Sequence, residues 1–120
     1  MAGGTVERLR RRREFKSVYA NGVKVVGRYV VLFVWTHGEE RSRFGVTATR
    51  RIGGAVERNR ARRRLRELAR RHRERIDGLV ADIVVNVRRG CQDVAWAELE
   101  ADYLRCLSRV ESRLPERAPS

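Results

Sequence analysis

The sequence predicts a single α+β domain with its elements in the order α-β-β-β-α-β-α, a four-stranded sheet packed by three helices. Three observations carry this. Apolar residues recur at helical spacing in three segments, and they run or alternate as strands do in four others. Glycine-bearing turns separate the segments. The chain has 120 residues, 42% of them apolar, which suits one domain with a real core. The domain is expected over residues 8–114, with a flexible lead-in at 1–7 and, around Pro115 and Pro119, a disordered tail at 115–120.

The first helix is predicted from about Arg12 to Asn21, where Phe15, Val18 and Tyr19 fall on one face. Asn21-Gly22 ends it, glycine being the usual left-handed residue past a helix C-terminus. Val23 to Val26 is a short strand. Arg28 to Thr36 is the clearest one, with Tyr29, Val31, Phe33 and Trp35 on one face and Val30, Leu32 and Val34 on the other. Both faces are apolar, so this strand is expected to be covered on each side. A turn at His37-Gly38-Glu39-Glu40 leads to a returning strand over Phe44 to Thr49. After the loop Arg50-Arg51-Ile52-Gly53-Gly54, a helix is predicted from about Ala55 to Ile76. Ala61, Leu65, Leu68, Ala69 and Ile76 form its buried stripe, and Asp77-Gly78 ends it. Ile83 to Val87 is a strand whose apolar run Asn86 interrupts. The last helix is placed at about 94–112 with Asp93 as its cap and Leu99, Tyr103, Cys106, Leu107, Val110 and Leu114 as its core stripe.

The charge is extreme and unevenly spread. Lys+Arg number 28 against 15 Asp+Glu, a formal net charge of +13, and Lys16 and Lys24 are the only lysines. Residues 8–16 carry a net +5 and residues 43–75 a net +10, so the rest of the chain is slightly acidic. Arg58, Arg62 and Arg66 make a ridge at helical spacing, flanked by Arg60, Arg63 and Arg64. Two dense blocks of this kind on one small domain point to a polyanion partner. Guanidinium forks suit phosphate oxygens and stack on bases.

Several classes drop out. The longest apolar run, Tyr29 to Trp35, is far short of the roughly 20 residues of a membrane helix. No apolar stretch follows Met1 as in a secretory signal, and Cys91 and Cys106 are expected as reduced thiols, so the cytoplasm is the expected compartment. The acids are scattered and the cysteines lack metal-ligand spacing, so neither a self-sufficient nuclease site nor a zinc site is expected. Gly53-Gly54 is neither a P-loop nor a dinucleotide fingerprint. No helix stands just before the arginine helix, which argues against a helix-turn-helix DNA regulator. What remains is a binding surface for RNA. Arginines can track a phosphate backbone, while Phe15, Tyr19 and Phe33 fit either the core or a platform for unpaired bases.

The segment from Gly53 to Glu67, with its Arg58-Asn59-Arg60 triplet followed by Arg62, Arg63 and Arg66, closely resembles the signature of the bacterial ribonuclease P protein subunit. Leu9, Glu14-Phe15, Val18-Tyr19 and Gly22 resemble that family's opening helix. The resemblance implies a small accessory subunit of a ribonucleoprotein that removes the 5′ leader of precursor tRNA, with the catalytic site and its magnesium ions in the RNA subunit. It also implies a left-handed βαβ crossover, an exception to the usual hand. Arg58, Asn59, Arg60, Arg62, Arg63 and Arg66 match the motif that contacts the catalytic RNA. Arg50 and Arg51 stand where the family usually has lysines and are assigned to the same surface. Phe15, Tyr19 and Phe33 match the aromatic wall of the cleft that receives the leader, and Thr47 and Thr49 are expected on the same sheet. No metal is expected on the protein alone, and the expected partners are the catalytic RNA and precursor tRNA, with no membrane and no DNA. The alternative is a structural RNA-binding protein of ribosomal type with no part in catalysis.

Overall fold

The computed structural model describes residues 6–37 and 40–114. Its elements run β1 (Glu7–Arg8), α1 (Arg12–Asn21), β2 (Val23–Val26), β3 (Val30–Trp35), β4 (Arg43–Thr47), α2 (Ala55–Arg71), α3 (Arg73–Leu79), β5 (Asp82–Val87) and α4 (Trp96–Arg113). The five-stranded sheet has the order β1-β4-β5-β3-β2. β2 and β3 form an antiparallel hairpin and β3 pairs antiparallel with β5. β4 and β5 are parallel neighbours, so α2 and α3 form the crossover of a βαβ unit.

The α+β class is as predicted, with one more strand and one more helix among the described residues than expected. The extra strand is β1. Glu7 pairs in parallel with Arg43 and Arg8 with Phe44, so Glu7 belongs to the sheet and not to a loose lead-in. Residues 1–5, the tail 115–120, and Gly38 and Glu39 of the expected turn lie outside the described residues. The extra helix arises at His72, where the long arginine helix breaks. The His72 backbone leaves helical geometry (φ −114°, ψ 33°) and its Nε2 lies 2.8 Å from Glu100 Oε2 of α4. Past the break, Ile76 and Leu79 enter the core, and the chain reverses at Val80, whose φ of 49° is left-handed. Neither glycine nor proline marks the break, so the apolar spacing ran straight through it.

Three smaller differences concern turns and caps. Gly22 is extended at φ −85°, not left-handed. Its constraint is a close approach: a Cβ there would stand 2.7 Å from the Val18 carbonyl oxygen and 3.0 Å from that of Val34. Tyr29 precedes β3 and packs on the core opposite to Phe33. Asp93 does not cap the last helix; α4 starts after Ala95, and Asp93 pairs with Arg60 instead.

The sheet has two unlike faces because alternate residues point to opposite sides. Val30, Leu32 and Val34 of β3, Phe44 and Val46 of β4, and Ile83, Val85 and Val87 of β5 join the stripes of α2, α3 and α4 in the main core. The other face is smaller and more polar. Val18 of α1, fully buried, seats on Val84 and Leu9 there, with Phe15, Phe33 and Trp35 packed around them. Burying one such side chain contributes about 1.5–3 kcal/mol, enough to hold a short helix in place. α1 therefore covers only part of this face and leaves the rest accessible.

Candidate nucleic-acid interface

The accessible face is built from α1 and the strands beneath it. Phe15 and Tyr19 lie one turn apart on α1. Tyr19, 37% exposed, meets the half-buried Phe33 edge to face, with ring centroids 4.7 Å apart. Its hydroxyl donates to Asn86 Oδ1 at 2.8 Å, and Thr47 Oγ1 donates to the same oxygen at 2.5 Å. Lys24 Nζ stands 5.8 Å from the Phe33 centroid. Phe15 lies directly against Gly45, where a Cβ would come within 2.6 Å of its Cζ. The structure thus gathers Phe15, Tyr19, Phe33 and Thr47 on one face. Thr49 does not join them: it follows β4, is exposed, and accepts the Ile52 N–H at 3.0 Å in the turn before α2.

Asn86 and Lys24 complete this platform, and sequence reasoning missed both. Asn86 carried a signal, a polar residue inside an otherwise apolar strand, but periodicity could not say which side chain it would meet. Trp35 lies on the same face, edge-on to His37 with centroids 5.6 Å apart.

The platform is pinned at one end by a charged cluster. Glu14 Oε1 accepts the backbone N–H groups of Arg11 and Arg10 at 2.8 and 2.9 Å, closing the start of α1. Its other oxygen receives Arg43 Nη1 at 2.8 Å. The backbone N–H groups of Arg11 and then Arg10, with Arg43 adding to them, hold the Glu14 carboxyl below the usual carboxylate range. Arg43 in turn makes a two-pronged pair with the fully buried Asp82, which His37 Nε2 also approaches at 3.0 Å.

The arginines of α2 do not form one face. Arg62 and Arg66 flank the β4 side of the helix. Arg62 donates to Asn59 Oδ1 at 3.1 Å and to the Ala48 carbonyl at 3.4 Å, which gives the mid-helix asparagine its partner. Arg60 and Arg64 flank the opposite side, toward residues 91–96. Arg64 donates to the carbonyls of Cys91 and Val94 at 2.8 and 2.6 Å and lies over the Trp96 ring, so it staples that turn to α2. Arg60 meets Asp93 at 3.1 Å, an exposed pair of small energetic weight. Arg63 points outward, exposed. Arg58 is half-buried, its Nε enclosed without a hydrogen-bond partner. Arg50 and Arg51 are exposed in the turn that enters α2, where Gly53 takes a φ of 144° that favours glycine. Among the described residues no helix is long and apolar enough to cross a membrane, and no three His, Cys, Asp or Glu side chains gather where they could hold a metal ion.

Comparison with known proteins agrees with this geometry. The sequence profile of the family described as Ribonuclease P matches residues 4–111. The Ribonuclease P protein component of Acidothermus cellulolyticus is 38% identical over 105 residues, covering 86% of this chain and 87% of that protein. The one from Desulfovibrio desulfuricans is 36% identical over 112 residues, covering 90% and 85%. Among solved structures, the RNase P protein from Thermotoga maritima superposes with a TM-score of 0.76 at 31% identity, covering 87% of this chain and 97% of that one. The chain belongs to the ribonuclease P protein family, the accessory subunit of the ribonucleoprotein that processes tRNA 5′ ends.

Proposed function

We propose that within that ribonucleoprotein the chain binds two RNAs on adjoining surfaces: the catalytic RNA through the arginines around the start of α2, and the leader of precursor tRNA through the platform of Phe15, Tyr19, Phe33 and Thr47. One observation supports this above the others. Thr47 reaches the Tyr19–Asn86 cluster while its neighbour Ala48 accepts Arg62, so the aromatic platform and the arginine ridge meet at consecutive residues of one strand end. Single-stranded RNA suits such a surface, with bases stacking on ring faces and phosphates tracked by guanidinium groups. Arg50, Arg51, Arg58, Asn59, Arg60, Arg62, Arg63 and Arg66 are the catalytic-RNA side of this reading, and Thr49 stands with Arg50 and Arg51 at the turn.

Magnesium ions held by the RNA subunit would supply the hydrolytic chemistry. The protein residues assigned to RNA in this reading fit that division, since arginines repel a dication and bind phosphate. The cytoplasm is the compartment that goes with this reading.

The test is reconstitution. The purified chain is mixed with a cognate catalytic RNA and a precursor tRNA in magnesium buffer, and cleavage is followed with and without protein. Stimulated cleavage that requires the RNA subunit is the expected result, and Phe33→Ala weakens binding of leader-bearing tRNA more than mature tRNA. A protein of ribosomal type would bind RNA without stimulating cleavage, and that outcome rejects the proposal.

A further inference from the structure

A second concave feature lies beside the platform, at the open edge of the sheet. β1 ends at Arg8, and the Leu9 N–H to the Phe44 carbonyl, 2.9 Å, is the last rung joining it to β4. In a parallel ladder, bonding to one neighbour recurs every second residue, so the next rung would form at Val46, where β1 has already ended. Val46 lines a cleft of about 400 Å³ at this point. Leu9, Phe15, Phe44 and Ala69 give the cleft an apolar floor and wall, while Arg8, Arg10, Arg66, Arg70 and Arg73 stand around it with Glu7 as the one acid in the lining.

These five arginines outnumber the acids beside them, Glu7 of the lining and Glu67. Arg70 is engaged by Glu67, but Arg8, Arg66 and Arg73 have no acidic partner among the described residues. Arg66 is partly desolvated and faces the charges of Arg8 and Arg62, which makes its protonated form harder to hold than in water. Like charges crowded around an apolar hollow are unfavourable until an anion enters. The group that matches both features is a nucleotide: an apolar, flat base for the floor, a phosphate for the guanidinium rim, and the unpaired Val46 edge for a hydrogen bond to the base.

We propose that this cleft is a subsite for one unpaired nucleotide of the precursor leader, next to the nucleotides that lie on Tyr19 and Phe33. It rests on the leader-binding reading above, and it puts Arg66 where the leader surface and the catalytic-RNA surface meet. Phe15 supports the choice of the leader, because its ring is both a wall of the cleft and part of the platform, so one strand can run from one to the other without leaving the surface. Arg73, which no other contact of the described residues engages, serves as the phosphate clamp on the far side.

The experiment uses the reconstituted holoenzyme and two precursors, with leaders of about ten and about two nucleotides. Arg73→Glu weakens binding of the long-leader precursor about fivefold to tenfold and leaves the short-leader precursor within about twofold. It also leaves assembly with the catalytic RNA unchanged. Phe33→Ala is measured in parallel. If Phe33→Ala discriminates against the leader and Arg73→Glu does not, the subsite is wrong while the platform stands; if neither does, the platform reading itself fails. A photoreactive group on Arg73→Cys identifies the occupant. Cys91 and Cys106 are buried, with thiols pushed up to about 12 and about 11 by burial, so the new cysteine alone is modified near neutral pH. Cross-links into the leader support the subsite. Cross-links confined to the catalytic RNA overturn it.

Discussion

Arg43 on β4 grips Asp82 on β5 with two hydrogen bonds, Nε to Oδ1 at 2.9 Å and Nη2 to Oδ2 at 2.6 Å, and extends its remaining nitrogen to Glu14 at the start of α1. The guanidinium fork matches the carboxylate, and Asp82 is wholly buried, so the pair is held in a dry and rigid setting. Through it the sheet carries the helix that bears Phe15 and Tyr19.

Breaking this pair leaves a buried carboxylate with His37 as its remaining side-chain neighbour. Arg43→Ala therefore destabilises the fold by about 3 kcal/mol, read from the urea midpoint. Arg43→Lys recovers only part of the loss, because an ammonium cannot fill the two-pronged geometry. A loss no larger than that of an exposed pair would contradict the role given to Arg43.

The Glu14 carboxyl is held below its ordinary value by the N–H groups of Arg11 and Arg10 and by Arg43. A lowered folded value means its contribution is complete above the ordinary carboxylate range and is lost as pH falls through the lowered value. The stability of the natural chain should accordingly drop on acidification from about pH 5, and Glu14→Gln should flatten part of that drop while lowering stability at neutral pH. Urea titrations across this range check both slopes; an unchanged slope would remove Glu14 from the account.

Gly45 leaves the space that the Phe15 ring occupies. Gly45→Ala pushes the ring aside, since a methyl group there would overlap its Cζ. Expected is a loss of leader-dependent affinity approaching that of Phe15→Ala, roughly 1–3 kcal/mol for a stacked base, with catalytic-RNA assembly retained. Comparing leader-bearing with mature tRNA isolates the effect.

Arg63 and Arg64 are adjacent in sequence but differ in role. Arg63→Ala should reduce the log–log salt slope of RNA binding by up to about one and leave stability within about 0.5 kcal/mol. Arg64→Ala should do the reverse, leaving the Cys91 and Val94 carbonyls without their donor and costing about 1–3 kcal/mol of stability. Salt titrations and denaturation curves on the two variants separate these outcomes.

Much of this was legible in the residues. The Phe15, Val18, Tyr19 spacing placed α1 at its observed bounds, and the alternation over Val30 to Trp35 assigned the two faces of β3. β1 was not legible, because two charged residues have no strand pattern of their own and pair only when β4 offers an edge. The break at His72 was hidden for a related reason: the contact that accompanies it is to Glu100, 28 residues away on another helix.

The sequence by itself determined the element types, the two basic blocks and the family, because periodicity and an arginine-asparagine-arginine signature are local properties. Tertiary structure alone decided which arginines fold back onto the protein and which stay exposed. Positions three or four apart share a helix face, but only the placement of residues 91–96 turns Arg64 inward to two carbonyls, and only the early end of β1 leaves Arg8, Arg66 and Arg73 around an open cleft. These contacts join segments far apart in the chain, and their geometry exists once the sheet order has brought β1, β4 and α2 together.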